Sequence, residues 1–317
     1  MSISLFLKGL AMGMAEVVPG VSGGTIAFIT GIYQRLIDAI KSFDPDAFKL
    51  LFKGKIKAFW KKVDGNFILT LGSGMIAGIV SGVFTIAWLL ENHPLLIWGF
   101  FFGLILISCY LVLKQVNSWS IPTFLFLIAG TAIAYYVTVA QPGSENNSYW
   151  FIFISGIIAI SALLLPGLSG SFILLLMGMY TLILPSAKLA LSEQDPESIA
   201  IIAVFIGGCT VGLFSFARVM SWAFKSFPNQ TLALLTGFLL GSLNKVWPWQ
   251  HVLSTRVNSK GTEVVSLSKS VLPSTFEALP HNFHYGTDPK MVMVILCMLV
   301  GFFMVLGIER LGKNFSK

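Results

Sequence analysis

Residues 16–25, Glu16-Val17-Val18-Pro19-Gly20-Val21-Ser22-Gly23-Gly24-Thr25, place a proline, three glycines and two small hydroxyls inside an otherwise apolar segment. A helix that crosses a bilayer takes about 20 consecutive apolar residues. The stretch 3–40 supplies two shorter pieces instead, so the Pro-Gly pair predicts a broken, reentrant hairpin. The pattern recurs. An offset of 147 residues (166 − 19) brings Pro166-Gly167-Leu168-Ser169-Gly170-Ser171 into the same register and pairs Gly31 with Gly178 and Tyr33 with Tyr180. A second hairpin is expected over 150–184.

The chain around these breaks has 317 residues, 55% of them hydrophobic and only 11% charged. Its mean hydropathy is +0.81. A soluble domain is about one quarter charged, so the composition is that of an all-α polytopic membrane protein. Lys8 and Glu16 interrupt the N-terminal apolar stretch, which runs into the break and shows no small-residue cleavage site, so no cleaved signal is expected. The net charge of +7 is not read as nucleic-acid binding, because its basic residues sort by side of the membrane. Cys109, Cys209 and Cys297 each stand alone in apolar runs and are expected as small buried hydrophobes. Neither a metal site nor a cofactor is expected. His251, His281 and His284 lack a ligand spacing and are read as surface polar residues.

Lys8, Arg35 and Lys41 flank the first hairpin and place both of its ends in the cytoplasm. In 44–63, Phe48, Leu51, Phe52, Ile56, Phe59, Trp60 and Val63 recur at helical spacing, with Lys49, Lys53, Lys57, Lys61 and Lys62 between them. This predicts a cytoplasmic amphipathic helix lying on anionic inner-leaflet lipids. Membrane-spanning helices follow at about 66–90, 95–113 and 121–140. Gln141–Ser148 carries no Lys or Arg and precedes Tyr149 and Trp150, as an external loop meeting an aromatic belt would. After the second hairpin come spans at about 199–224, 230–246 and 290–311, with an external segment at 247–289. Arg310, Lys313 and Lys317 give a cytoplasmic C-terminus.

The chain therefore divides into repeats 1–140 and 141–317, each with one reentrant hairpin and three spanning helices. An odd number of crossings inverts the second repeat relative to the first. Gly78-x-x-x-Gly82 is matched with Gly208-x-x-x-Gly212, and Gly99-x-x-x-Gly103 with Gly237-x-x-x-Gly241, as close-packing pairs. The sequence carries no signal for oligomeric state.

Backbone freed by a break at membrane depth is tolerated only where protein or a water-filled cavity satisfies it. Glycine-rich turns let successive N–H groups converge on an anion. Pro19, Gly20, Ser22, Gly23, Gly24, Thr25, Pro166, Gly167, Ser169, Gly170 and Ser171 thus form a candidate cradle for a phosphate-like group near the midplane. The plainer reading is that small residues let two hairpin tips pack. Glu16, whose counterpart is Leu163, is a candidate for proton coupling or for capping the next turn. Arg218 either pairs with Glu16, contacts the anion or snorkels to the surface.

The run 16–25 and its echo at 166–171, the Lys-rich loop, and His93-Pro94 followed by Trp98-Gly99-Phe100-Phe101-Phe102-Gly103 resemble the bacterial polyprenyl-phosphate transporter family of PopT-like proteins. That resemblance implies an inner-membrane transporter returning undecaprenyl phosphate, or a related polyprenyl phosphate, across the cytoplasmic membrane for cell-envelope glycan synthesis. It does not imply an enzyme. The chain is also similar to integral-membrane undecaprenyl pyrophosphate phosphatases, which share reentrant hairpins and a Pro-Gly-x-Ser-Arg-Ser signature. Here Gly23 and Gly170 stand where that signature has Arg, which removes the fixed cation that phosphoryl transfer needs. A carrier for a small soluble anion is the remaining alternative; a lipid substrate differs in needing a lateral apolar opening for its tail.

Overall fold

The computed structural model describes residues 2–17, 22–141, 143, 146–257, 263–279 and 288–314. Pro19, Gly20, His281, His284 and Lys317 lie outside the described residues, as do the side chains of Arg310 and Lys313.

The first broken stretch is three helices: α1 (Ile3–Glu16), α2 (Gly23–Ile29) and α3 (Tyr33–Lys41). The second has the same plan, with α9 (Tyr149–Leu164), α10 (Gly170–Leu176) and α11 (Tyr180–Ser192). Each stretch is therefore interrupted twice. Ser22 and Ser169 cap the short helices, accepting from Gly24 N at 3.1 Å and from Phe172 N at 3.4 Å. The far ends close on Gly31 (φ +72°) and Gly178 (φ +70°). Ile32 N donates to Ala27 O at 3.0 Å and Met179 N to Leu174 O at 2.9 Å, the six-to-one bond of a Schellman turn in both copies. The Gly31/Gly178 match is thus a second pair of helix breaks, at a position where only glycine is unstrained. α10 and the start of α11 are bent by 113°.

Between the stretches lie α4 (Pro45–Phe52), α5 (Ile56–Lys62), α6 (Gly65–Asn92), α7 (Pro94–Leu113) and α8 (Ile121–Val139). The continuous amphipathic helix expected over 44–63 is α4 and α5, separated by Gly54 at φ +69°. Asp44 caps α4 through Ala47 N at 2.8 Å and receives Lys62 at 2.6 Å, folding α5 back on the start of α4. Beyond α11 come α12 (Pro196–Ser226), α13 (Pro228–Ser242), the antiparallel strands β1 (Gln250–Val257) and β2 (Glu263–Ser270), α14 (Pro273–Glu277) and α15 (Met291–Asn314). The chain is mostly helical, but 247–289 is not featureless. The strands run from Gln250 opposite Ser270 to Val257 opposite Glu263, with an irregularity at 252–255.

Among the described residues, α6, α7, α8 and α12 are long and apolar enough to cross a membrane; the bent pair α10–α11, a broken span or a re-entrant loop, adds a fifth only when counted as one span. α13 stops at Ser242, earlier than the span expected to 246. Its 15 residues reach only about 22 Å.

Helix packing repeats between the halves. α1 lies along α6 as α9 lies along α12, while α8 packs on α13 and α15 on α7. The third long helix of each half thus sits on the second of the other. Glycines make the contacts. Gly74 and Gly78 abut the carbonyls of Phe6 and Leu10, and Gly208 and Gly212 abut those of Phe153 and Ile157. Phe153 and Ile157 lie 147 residues after Phe6 and Leu10, so the partner of Gly208-x-x-x-Gly212 is Gly74-x-x-x-Gly78. The sequence match to Gly78 and Gly82 is one helical turn out of register, because glycines spaced by four residues match each other at every turn. Gly99 and Gly103 meet Val294 and Met298, and Gly237 and Gly241 meet Leu127 and Thr131, so each pair seats the third long helix of the other half.

Candidate functional site

The two breaks touch. Ser22 Oγ donates to Leu163 O at 3.0 Å, and Gly167 N donates to Thr25 Oγ1 at 2.9 Å. Ser22 and Thr25 are fully buried, with 0% of either surface exposed. A Cβ on Gly24 would sit 2.9 Å from Leu163 O and 3.0 Å from Leu164 O, so glycine sets the closeness of this contact. Gly167, at φ +84°, presses against α13, where an added Cβ would lie 2.7 Å from Phe238 O.

At the first break the N–H groups of residues 23–25 are already used. Gly23 N donates to Glu16 Oε1 at 2.6 Å, Gly24 N to Ser22 Oγ, and Thr25 N to Ser22 O at 2.9 Å. The Glu16 carboxylate occupies the position where an external anion would meet Gly23. At the second break Ser169 and Ser171 share a hydrogen bond at 3.0 Å. Two hydroxyls sharing one bond leave one O–H to donate elsewhere. Ser169 is buried and Ser171 exposed, while Pro166 and Gly170 are buried beside them.

Arg218 is not part of this cluster. It is exposed on α12 and Nη1 donates to Phe214 O at 2.9 Å, one turn back on its own helix. The pairing with Glu16, one of the three readings of this residue, is not formed: Glu16 faces Gly23, and the exposed Arg218 side chain bonds to its own helix.

The basic helices hold their charges in two ways. Lys49 pairs with Asp46 at 2.9 Å and Lys62 with Asp44, while Lys53, Lys57 and Lys61 form no salt bridge among the described residues. The hydrogen bond from Lys62, followed by that from Ala47 N–H, holds the Asp44 carboxyl below the usual carboxylate range. Arg35 makes a two-pronged pair with Asp64 at 2.7 and 3.2 Å and lies 4.4 Å over the Phe67 ring. A surface cavity of about 360 Å³ opens here, lined by residues including Lys57, Trp60, Lys61 and Asn66. It lies away from the breaks, and the breaks carry the buried polar chemistry, which makes them the candidate site.

Two features have no counterpart in the sequence reading. Ser221 on α12 donates to Asp38 Oδ1 at 2.9 Å and accepts from Lys41 at 3.1 Å, locking α3 to α12. Lys245 follows α13 and lies with Nζ 4.7 Å over the ring of Phe172 on α10. The signal for Lys245 is present in the chain: an ionisable residue closing an apolar span is a site hypothesis by the same rule that singles out Glu16.

The family model described as undecaprenyl phosphate translocase-like matches residues 12–264. The chain belongs to this family. It is 42% identical over 312 residues to a Vibrio cholerae protein named polyprenyl-phosphate transporter, covering 98% of this chain and 97% of that one. It is 32% identical over 257 residues to a Staphylococcus aureus protein of the same name, covering 76% and 85%. No solved structure matches the chain.

Proposed function

We propose that this family member is a transporter, not an enzyme, and that it carries undecaprenyl phosphate or a related polyprenyl phosphate across the bacterial cytoplasmic membrane. The names of its relatives support the substrate class, and the observation that carries the mechanism is the meeting of the two breaks through Ser22, Thr25, Leu163 and Gly167. The headgroup would bind among Ser22, Gly23, Gly24, Thr25 and the 166–171 turn when the tips part, while the tail stays in lipid. The absence of Arg at Gly23 and Gly170 favours carrying phosphate over cleaving it.

In this reading the halves 1–140 and 141–317 are inverted repeats with reentrant hairpins opening to opposite sides. The repeated packing and the paired Schellman turns support it. Both termini and the basic helices α4 and α5 face the cytoplasm, where Lys53, Lys57 and Lys61 meet anionic lipid. Glu16 is the coupling residue: protonation, or displacement by substrate, releases the Gly23 N–H. Arg218 takes no part in the cradle and anchors α12 at the membrane surface.

The test is leaflet-resolved accessibility of undecaprenyl phosphate in vesicles containing the purified protein. The double variant Ser22→Ala/Ser169→Ala should lose translocation while its size-exclusion profile stays that of the wild type. Unchanged transport would remove the cradle from the mechanism.

A further inference from the structure

The second break carries a cation without an anion. Lys245 enters no salt bridge among the described residues, and its contact is with the face of Phe172. An aromatic face offsets only part of the cost of withdrawing an ammonium from water. Lys245 is half-buried, just beyond the C-terminal end of α13. Phe172 is one turn from Ser169, whose Oγ accepts its N–H. The ammonium therefore stands beside the same short helix whose first turn holds the Ser169–Ser171 pair with an uncommitted O–H.

The position of Lys245 is also built. Gly167 packs against the α13 backbone at Phe238, so α13 runs past the second break, and Lys245 beyond its end reaches Phe172 on α10. Lys245 N donates to Ser242 O at 2.9 Å. Next to it, Asn244 Nδ2 donates to Thr138 Oγ1 at 2.7 Å, and the Asn244 carbonyl accepts from Gln250 Nε2 at 3.0 Å and Ser270 Oγ at 2.9 Å. Trp247 Nε1 donates to Val271 O at 2.8 Å. The β1–β2 hairpin is thereby tied to the turn that bears the lysine. A surface lysine needs no such brace, and a purely packing role would be met by an uncharged side chain without the desolvation cost.

The geometry points to Lys245 as the cation that receives a phosphate monoester headgroup at the second break, together with Ser169 and Ser171, with the β-hairpin serving to hold it in place. This rests on the transporter reading above and adds an assignment to it: the second break is the receiving end in this conformation, because the first already contains the Glu16 carboxylate.

The experiment measures binding of farnesyl phosphate, farnesol and inorganic phosphate to the detergent-purified full chain. Lys245→Gln should weaken farnesyl phosphate about tenfold or more, the loss expected of a charge-assisted contact. Lys245→Arg should stay within about threefold of the wild type, and farnesol binding should be unchanged in both. Farnesyl phosphate bound equally well by Lys245→Gln and wild type would overturn the assignment. If Ser169→Ala alone weakens it, Lys245 is excluded while the cradle stands; if neither variant matters, both fail. Inorganic phosphate competing at the same concentration as farnesyl phosphate would keep the lysine as a phosphate ligand and overturn the lipid reading. A measurement on the wild type covers the case of a variant that does not fold: farnesyl phosphate, but not farnesol, should slow acetylation of Lys245 by acetic anhydride as read by mass spectrometry. Unslowed acetylation would overturn the proposal.

Discussion

At the first break a carboxylate fills the turn, and at the second a lysine waits beside it. Their backbones follow one plan, with a serine-capped helix of seven residues closed by a left-handed glycine, yet Glu16 binds Gly23 N while Lys245 faces Phe172. The same sequence motif has thus been placed in two electrostatic settings. A duplicated backbone supplies the donors twice; residues that the duplication does not repeat decide which copy is free to meet an anion. Glu16 comes from the helix that leads into its own break. Lys245 lies 75 residues beyond Gly170 (245 − 170), and the fold alone brings it to the second break.

The largest expected effect that bears on this comparison is structural. Gly24→Val would place side-chain carbons against Leu163 O and Leu164 O, where even a Cβ lies within 2.9–3.0 Å. The tips should part, costing about 1–3 kcal/mol, and the yield of folded protein and its thermal midpoint in detergent should both fall. A wild-type midpoint would mean that the tips do not need this closeness.

Next in size is the contrast between the serines. Ser22→Ala removes both a cap and the bond to Leu163 O, a loss of about 1–2 kcal/mol. Ser169→Ala removes a longer cap and the bond to the exposed Ser171 and should cost about half as much. Thermal unfolding should therefore rank Ser22→Ala as the less stable, while farnesyl phosphate binding should rank Ser169→Ala as the weaker binder. A single order in both measurements would erase the distinction between a closed and a receptive break.

Glu16→Gln should keep an acceptor for Gly23 N and hence the fold, while removing the charge. Transport measured across pH in vesicles should lose its pH dependence with less than about a tenfold change in rate. A preserved pH profile would confine Glu16 to capping.

The smallest effect lies away from the breaks. The Asp44 carboxyl has its affinity for a proton lowered by Lys62 and Ala47 N–H, so its contribution is present above the ordinary carboxylate value of about 3.9 and is lost as pH falls through the lower folded value. Hydrogen exchange over residues 45–62 should rise in acid, and Asp44→Asn should show the faster exchange already at neutral pH. An exposed pair contributes little, so transport at neutral pH should hardly change.

Much of this organisation is legible in the chain. Apolar length marks the long helices, and proline with glycine marks both breaks. The echo at 147 residues pairs Gly31 with Gly178, although their left-handed turns become visible only with the backbone. The α6–α12 glycine register differs by one turn from the sequence match, since a four-residue spacing repeats along a helix without saying which glycine meets the partner. Depth in an apolar run places Arg218 near the site, but the direction of its side chain depends on which face of α12 packs inward. In sequence Lys245 is only the end of a span, and the β-hairpin only a polar segment.

The sequence by itself determined that the chain lives in a membrane, that it is broken twice at matching places and that those places are rich in hydroxyls and free of arginine. These are properties of composition and local backbone chemistry. Only the tertiary structure decided that the two breaks hydrogen-bond to one another, that Glu16 occupies one of them and that Lys245 approaches the other. The contacts between the breaks and the approach of Lys245 join residues far apart in the chain, and they depend on helix packing set by close glycine contacts that no local pattern specifies.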